Sequence, residues 1–254
     1  MNSLFSLDGR VALVTGASRG LGFGRARGLA LAGAQVVLNG RDASTLETRR
    51  AEIESLGGKA AIAAFDVCDR QAADAAIDDI ERRFGALDIL INNAVFGVPG
   101  DFLDTSDEAW RRVMDVTLDS CFRLSRRAAA GMVRRGWGRV VMVSSVNAQI
   151  NRGTNTSYVT AKAGIEGLTR GMAVELAAKG VTVNCIAPGY MATDINEGFR
   201  SEPARYEWIR NRTPMKRWGK PDELAGAAVF LSSEASAFMT GQVLVMDGGM
   251  TVAI

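Results

Sequence analysis

Tyr158 and Lys162 stand four residues apart in Ser157-Tyr158-Val159-Thr160-Ala161-Lys162, with Ser144-Ser145 just upstream. On a helix this spacing puts both side chains on one face, one turn apart. An ammonium beside a phenol favours the phenolate and draws the tyrosine pKa down from its usual value of about 10. Such a pair can give and take a proton near neutral pH. The chain contains no histidine. That excludes Ser-His-Asp and Cys-His catalysis and the usual histidine-bearing zinc sites. An acid/base group must then be Tyr, Lys, Asp, Glu or Cys, and with three tyrosines in the chain Tyr158 leads the candidates.

Positioning such a pair takes a scaffold, and the first part of the chain supplies a second chemical element. The apolar run Arg10–Thr15 ends at Gly16-Ala17-Ser18-Arg19-Gly20-Leu21-Gly22, and a helical pattern runs on from Phe23 to Ala32. A strand, a glycine-rich turn and a helix form a phosphate-binding device, because glycines admit close backbone approach and the N–H groups of the helix start point at the anion. The spacing is G-x-x-x-G-x-G, with no G-K-[ST], which disfavours ATP or GTP hydrolysis. The second strand, Ala34–Asn39, ends Asn39-Gly40-Arg41. An acid there would hold the ribose hydroxyls of NAD, whereas arginine favours the 2′-phosphate of NADP. With Arg19 and Arg41 present and no acid at position 39, the pattern favours NADP(H) over NAD(H). Asp42 is expected to cap the helix that begins at Ala43.

The remaining strands read as Lys59–Phe65, ending at Asp66-Val67; Asp88–Ile91, ending at Asn92-Asn93-Ala94; Gly138–Val143, ending at Ser144-Ser145; Val181–Ile186, ending at Pro188-Gly189; and Gln242–Met246. Helices are expected over Arg70–Phe84, from a Thr105–Glu108 capping box to about Arg135 without interruption, over Ser157–Ala178, and after Pro221. Strands alternating with helices imply an α/β fold: one doubly wound, parallel, seven-stranded, Rossmann-like sheet with helices on both faces. All 254 residues are expected to form a single domain. Ligands of such sheets bind at the carboxyl ends of the strands, where Gly16, Asn39, Asp66, Asn93, Ser145 and Pro188 converge.

Composition narrows the field. Net charge is +2, and the hydrophobic fraction is 47%. Neither suggests nucleic-acid binding or a membrane partner, and no apolar run is long enough for a membrane span. The start lacks the pattern of a signal peptide. Cys68, Cys121 and Cys185 read as free thiols in a reducing compartment, so a cytoplasmic location and no metal site are expected.

Taken together, Thr15-Gly16-Ala17-Ser18-Arg19-Gly20-Leu21-Gly22, Asn92-Asn93-Ala94, Ser145, Tyr158-x-x-x-Lys162 and Pro188-Gly189 resemble the short-chain dehydrogenase/reductase family over essentially the whole chain. The resemblance implies hydride transfer between a nicotinamide and a carbonyl or secondary alcohol. Tyr158 would move the proton, Lys162 would lower its pKa and hold the nicotinamide ribose, and Ser145, rather than Ser144, would bind the reacting oxygen. It also implies cofactor contacts from Gly16, Ser18, Arg19, Gly20, Leu21, Gly22, Asn39, Arg41, Asp66, Val67, Asn93, Ala94, Tyr158, Lys162, Pro188, Gly189, Met191 and Thr193. Thr117 occupies the place of a fourth catalytic residue, an asparagine that holds a relay water in many relatives. Val95 replaces a glycine, which would strain the chain if positive φ were required there. Leu4–Leu7, Val37–Arg41, Arg212–Pro214, Arg217–Gly219 and the tail from Ala227 resemble the sugar-acid dehydrogenases of the family, implying a small-molecule substrate such as gluconate or its 5-keto form. A 3-oxoacyl carrier-protein reductase and a cofactor-binding protein with weak or lost catalysis are the competing readings. A mobile lid is expected at about 190–215, where Arg200, Arg205, Arg210 and the nearer Arg152 could meet a carboxylate. Gly164, Gly167 and Gly171 lie near one face of the Tyr158 helix and suggest close packing by a partner helix, as in the homotetramer that the resemblance implies.

Overall fold

The computed structural model describes residues 3–151, 153–193 and 196–253. A seven-stranded parallel sheet runs through it, built from β1 (Val11–Val14), β2 (Gln35–Gly40), β3 (Lys59–Ala64), β4 (Ile89–Asn92), β5 (Gly138–Val143), β6 (Val181–Pro188) and β7 (Val243–Met246). Strand side chains alternate between the two faces. Ala12, Val14, Ile89 and Ile91 join the core under α1 (Gly20–Leu31), α2 (Ala43–Ser55) and a later helix, Ala225–Ser232. Val11, Leu13, Leu90, Val183 and Cys185 join the core on the opposite face, under α3 (Arg70–Phe84) and two further helices. Burial on both faces is why these strands read as unbroken apolar runs rather than as alternating ones.

The opposite layer continues with α4 (Asp107–Met114), α5 (Ser120–Arg135) and α6 (Thr156–Leu176). The chain then forms α7 (Glu197–Arg200), α8 (Pro203–Arg212) and α9 (Ala225–Ser232). The polar stretch after Ala192, which shows little periodicity in sequence, thus contains two helices. Asp42 caps α2 as expected, its carboxylate accepting from the Thr45 N–H at 2.7 Å. Two expectations change. The N-cap of α4 is Ser106, accepting from the Ala109 N–H at 3.2 Å, and not a Thr105–Glu108 box. The helix from there to Arg135 is also interrupted. Residues Asp115–Asp119 form a π turn in which the Ser120 N–H reaches back to the Asp115 carbonyl. A π turn inserts one residue into the helical repeat and re-aims the side chains beyond it, a device frequent at functional sites. Thr117 lies inside it.

The strand order is β3-β2-β1-β4-β5-β6-β7. The chain therefore starts in mid-sheet, builds outward to β3, and crosses back to place β4 on the other side of β1. Where the order reverses, the loops after β1 and β4 diverge and leave a crevice at the carboxyl edge. The glycine turn comes directly after β1, and Asn93 directly after β4.

Candidate active site

The glycine turn is held from below by side chains of the neighbouring strand ends. Thr15 Oγ1 donates to the Ile91 carbonyl at 3.3 Å and accepts the N–H groups of Asn93 and Ala94 at 2.9 and 3.0 Å. Asn93 Nδ2 donates to the carbonyls of Thr15 and Gly16 at 2.9 and 3.2 Å. Asn39 Oδ1 accepts the Gly16 N–H at 3.4 Å, and its Nδ2 donates to the carbonyls of Ala63 and Phe65 at 3.1 Å each. Asn39 and Asn93 thus spend their amides on the scaffold. Gly16 and Gly20 adopt φ of +62° and +56°, where a Cβ is strained. At Gly22 a Cβ would stand 2.2 Å from the Gly16 carbonyl oxygen and 2.5 Å from Asn93 Nδ2.

Three supports of the turn were not among the residues expected there. Thr15, as a hydrogen-bonding side chain, is one. Arg49 of α2 is another, its Nε donating to the Ser18 carbonyl at 3.2 Å. The third is Arg25 on α1, fully buried, with Nη1 donating to Asn93 Oδ1 at 2.7 Å. A charge within the apolar Phe23–Ala32 pattern is the one signal in the sequence for Arg25; only the tertiary fold reveals the other two.

Ser144 and Ser145 follow β5 directly and make different contacts. Ser144 is buried, and its hydroxyl lies within hydrogen-bond distance of the Lys162 carbonyl (3.1 Å) and Glu166 Oε1 (3.0 Å), tying β5 to α6. Ser145 accepts the Asn147 N–H at 3.1 Å, and its hydroxyl acts on Tyr158 in the direction that favours the phenolate. One turn along α6, Lys162 is buried, its Nζ donating to the Val143 carbonyl at 2.7 Å. The ammonium lies 5.6 Å from the centre of the Tyr158 ring. Burial pulls the Lys162 pKa down to about 8, while Cys121 and Cys185 nearby oppose the shift. Tyr158 departs from expectation. Its pKa is raised rather than lowered, because desolvation disfavours the phenolate more than the Ser145 hydroxyl favours it. Lys162, turned to a backbone carbonyl, does not reverse that.

The segment after β4 passes directly over this pair; a Cβ on Gly97 would lie 3.5 Å from Tyr158 Cδ2. Val95 is exposed, and the non-glycine residues with positive φ among those described are Thr154 and Lys216, so Val95 carries no such strain. Thr117 is fully buried, and its Oγ1 both donates to the Phe96 carbonyl (3.0 Å) and accepts the Phe96 N–H (3.2 Å). Its hydroxyl thereby pins this loop to the π turn.

Other site residues fall along the same edge. Asp66 Oδ1 accepts the Cys68 N–H at 2.9 Å, and Val67 is buried beside it. Pro188 ends β6, and a Cβ on Gly189 would stand 2.7 Å from Asp247 Cα. Met191 and Thr193 are buried, and Met191 bridges to Gly219. Tyr190, Tyr206 and Trp218 form an aromatic cluster under α8, with Tyr206 stacked 6.0 Å from Trp218. The arginines expected to meet a carboxylate face their own helices instead: Arg200, Arg205 and Arg210 pair with Glu197, Glu202 and Glu207 at 2.9, 2.8 and 2.6 Å. Arg152 lies outside the described residues. Gly164 leaves room for Leu118 of the same chain, whose Cδ2 would lie 2.9 Å from a Cβ there, so no partner helix is needed to explain it.

The turn suits a dinucleotide. Arg19, the N-cap of α1, makes no side-chain capping bond, and the first turn holds no acid, which leaves the leading N–H groups for an anion. Arg19 and Arg41 are exposed at the same edge and form no ion pair with the described residues. At Gly40 a Cβ would stand 3.2 Å from Leu46 Cδ2 and 3.5 Å from Ser18 Cβ, so the end of β2 packs closely against α2 and the glycine turn.

A family model described as Enoyl-(Acyl carrier protein) reductase matches residues 16–251. Gluconate 5-dehydrogenase of Gluconobacter oxydans (strain 621H) is 43% identical over 251 residues, covering 99% of this chain and 98% of that protein. A gluconate 5-dehydrogenase from Burkholderia cenocepacia J2315, solved in complex with NADP and tartrate, superposes with a TM-score of 0.96 at 40% identity, with 99% of each chain covered. A short-chain type dehydrogenase/reductase from Mycobacterium marinum superposes with a TM-score of 0.94 at 35% identity over 99% of each chain. A Ser–Tyr–Lys group at the carboxyl edge of a doubly wound parallel sheet, beside a G-x-x-x-G-x-G turn and with full-length relatives of this kind, makes the chain a member of the short-chain dehydrogenase/reductase family.

Proposed function

We propose that this protein is an NADP(H)-dependent oxidoreductase acting on a sugar acid or polyol of the gluconate/5-ketogluconate type. The observation that carries the chemistry is Tyr158 with Lys162 buried one turn along the helix, its ammonium 5.6 Å from the phenol ring, and the Ser145 hydroxyl acting on the same phenol. The nicotinamide, when bound, gives or accepts the hydride. The glycine turn and the uncapped start of α1 would hold its pyrophosphate, and Asp66, Val67, Ala94, Pro188, Met191 and Thr193 would line the rest of its site. Ser145 donates to the substrate oxygen as negative charge grows on it. Tyr158 passes its proton to that oxygen in reduction and removes it in oxidation. Lys162 orients the ribose and supplies positive charge under the phenol. Thr117 shapes the loop through Phe96 and leaves the relay role to other groups.

The substrate class is supported by the gluconate relatives. It is tested by turnover of 5-ketogluconate, gluconate, acetoacetyl thioesters and simple ketones with each coenzyme. Activity confined to the thioesters would assign a 3-oxoacyl reductase. Tight NADPH binding with no turnover of any substrate would leave a binding protein.

Arg19 and Arg41 are assigned to the 2′-phosphate. Arg19→Ala and Arg41→Ala are each expected to weaken NADPH binding about ten-fold, the equivalent of one charge-assisted hydrogen bond, and to leave NADH binding unchanged. Fluorescence titration with both coenzymes measures this; equal losses for the two would remove the assignment. The raised Tyr158 pKa sets the pH behaviour. Reduction needs the phenol and should hold through neutral pH, falling only on the alkaline side. Oxidation needs the phenolate and should climb with pH throughout. A pH–rate profile in both directions checks the two signs.

The segment at 190–215 serves as the lid and belongs to the same single domain. Gly167 and Gly171 have nothing within 4 Å of a Cβ position and share a helix face with the exposed Val174. This strip supports a homotetramer, and a monomer by light scattering at micromolar concentration would refute it. The free thiols support a cytoplasmic location. No described helix is long and apolar enough to cross a membrane.

A further inference from the structure

Arg25 is a fully buried guanidinium with almost nothing to balance it. Nη1 has its bond to Asn93 Oδ1, while Nε and Nη2 have no hydrogen-bond partner. No carboxylate among the described residues forms an ion pair with it. The titratable groups close enough to act on it or be acted on by it are Cys185 on β6 and Lys162 on α6, and Lys162 is itself a cation. Burying a charge is costly unless it is both paired and hydrogen-bonded. Stability therefore gives no reason for an arginine here.

Asn93 gives one. A primary amide can turn either its oxygen or its nitrogen toward a neighbour. Around Asn93, the carbonyls of Thr15 and Gly16 need a donor, and both orientations would otherwise compete. Arginine carries donors only. Arg25 therefore fixes Oδ1 on its own side and forces Nδ2 toward the glycine turn. The same Nδ2 would lie 2.5 Å from a Cβ at Gly22, so the amide is wedged between α1 and the turn it supports.

We infer that Arg25 is a positioning residue of the cofactor site, which locks the Asn93 amide and through it the shape of the Gly16–Gly22 turn before the dinucleotide arrives. The inference rests on the reading of that turn as the pyrophosphate site. It explains why a costly charge is held beneath the turn: a preorganised turn binds more tightly because less ordering is left to do.

The test compares Arg25→Met and Arg25→Lys with the wild type. Three quantities are read: melting temperature without cofactor, amide exchange across residues 15–20 without cofactor, and the NADPH dissociation constant by fluorescence. Arg25→Met removes the donor and the charge. It should melt at or above the wild-type temperature, exchange faster at 15–20, and bind NADPH about ten-fold more weakly. Arg25→Lys keeps a donor-only group of similar reach, and should stay within about three-fold of wild-type affinity with the turn still protected. A folded Arg25→Met with wild-type affinity and exchange would overturn the inference, as would an Arg25→Lys as loose in the turn as Arg25→Met. If Arg25→Met does not fold, exchange in Arg25→Lys decides: protection retained supports the role and protection lost overturns it. Failure of the wild-type protein to bind NADPH would instead refute the cofactor reading itself.

Discussion

Tyr158→Phe is expected to lower kcat by about 10³-fold in both directions, the scale of a lost general acid/base, with NADPH affinity unchanged. The ring, its packing against Gly97 and the Lys162 ammonium all remain; only the hydroxyl is gone. The variant should not be destabilised. Tyr158 is half-buried, so removing its hydroxyl strands no deeply buried polar group, and Ser145 keeps its bond from the Asn147 N–H. Steady-state kinetics with saturating NADPH, together with a direct binding titration, separate the two quantities. A kcat within ten-fold of wild type would show that another group moves the proton, and Lys162, whose pKa falls to about 8, would be the next candidate.

Gly22→Ala should have the second largest effect, and on a different quantity. The new methyl would sit 2.2 Å from the Gly16 carbonyl oxygen and 2.5 Å from Asn93 Nδ2, and neither is the free end of a flexible side chain. Either α1 retreats or the turn opens. We expect a loss of about 1–3 kcal/mol in stability, as for an overpacked core, and NADPH binding weakened by about 100-fold, or about 2.7 kcal/mol. Thermal melts and fluorescence titration measure both. Gly20→Ala is the control, since a Cβ there would meet only Thr193, at 3.8 Å, and the strain comes from the φ of +56° alone. Wild-type affinity in Gly22→Ala would mean that the turn is not where the pyrophosphate lies.

The two sites meet at the strand ends, from opposite sides of the switch point. Tyr158 comes from the crossover after β5, and Gly22 from the one after β1. Between them lie Asn93 and the loop that Thr117 holds. The chemistry needs a proton-transfer group and a cofactor cradle within one substrate's reach, and a parallel sheet provides this by gathering all its strand ends on one edge.

The local signals for that arrangement are strong because each is imposed by short-range physics. Buried parallel strands require continuous apolar runs, the turn after β1 requires glycine where a Cβ would strike backbone, and α2 begins at an aspartate that satisfies its free N–H groups. The Tyr158–Lys162 spacing comes from the helical repeat alone. The sequence by itself therefore determined the α/β architecture and which residues fall at the strand ends, and it put Tyr158 and Lys162 on one helix face. Tertiary structure decided what depends on contacts across elements. Ser144 turns to Glu166 while Ser145 turns to Tyr158, a choice set by how β5 packs on α6. The Thr117 hydroxyl is spent on Phe96 because the π turn aims it there. Gly164 serves Leu118 of its own chain. The Tyr158 pKa rises instead of falling because desolvation, which no residue spacing encodes, outweighs an ammonium that is bonded elsewhere. Arg25 is the same case at its limit: in sequence it is an arginine on a helix, and only the packed fold puts it, fully buried and with no ion pair among the described residues, beneath the turn it steadies.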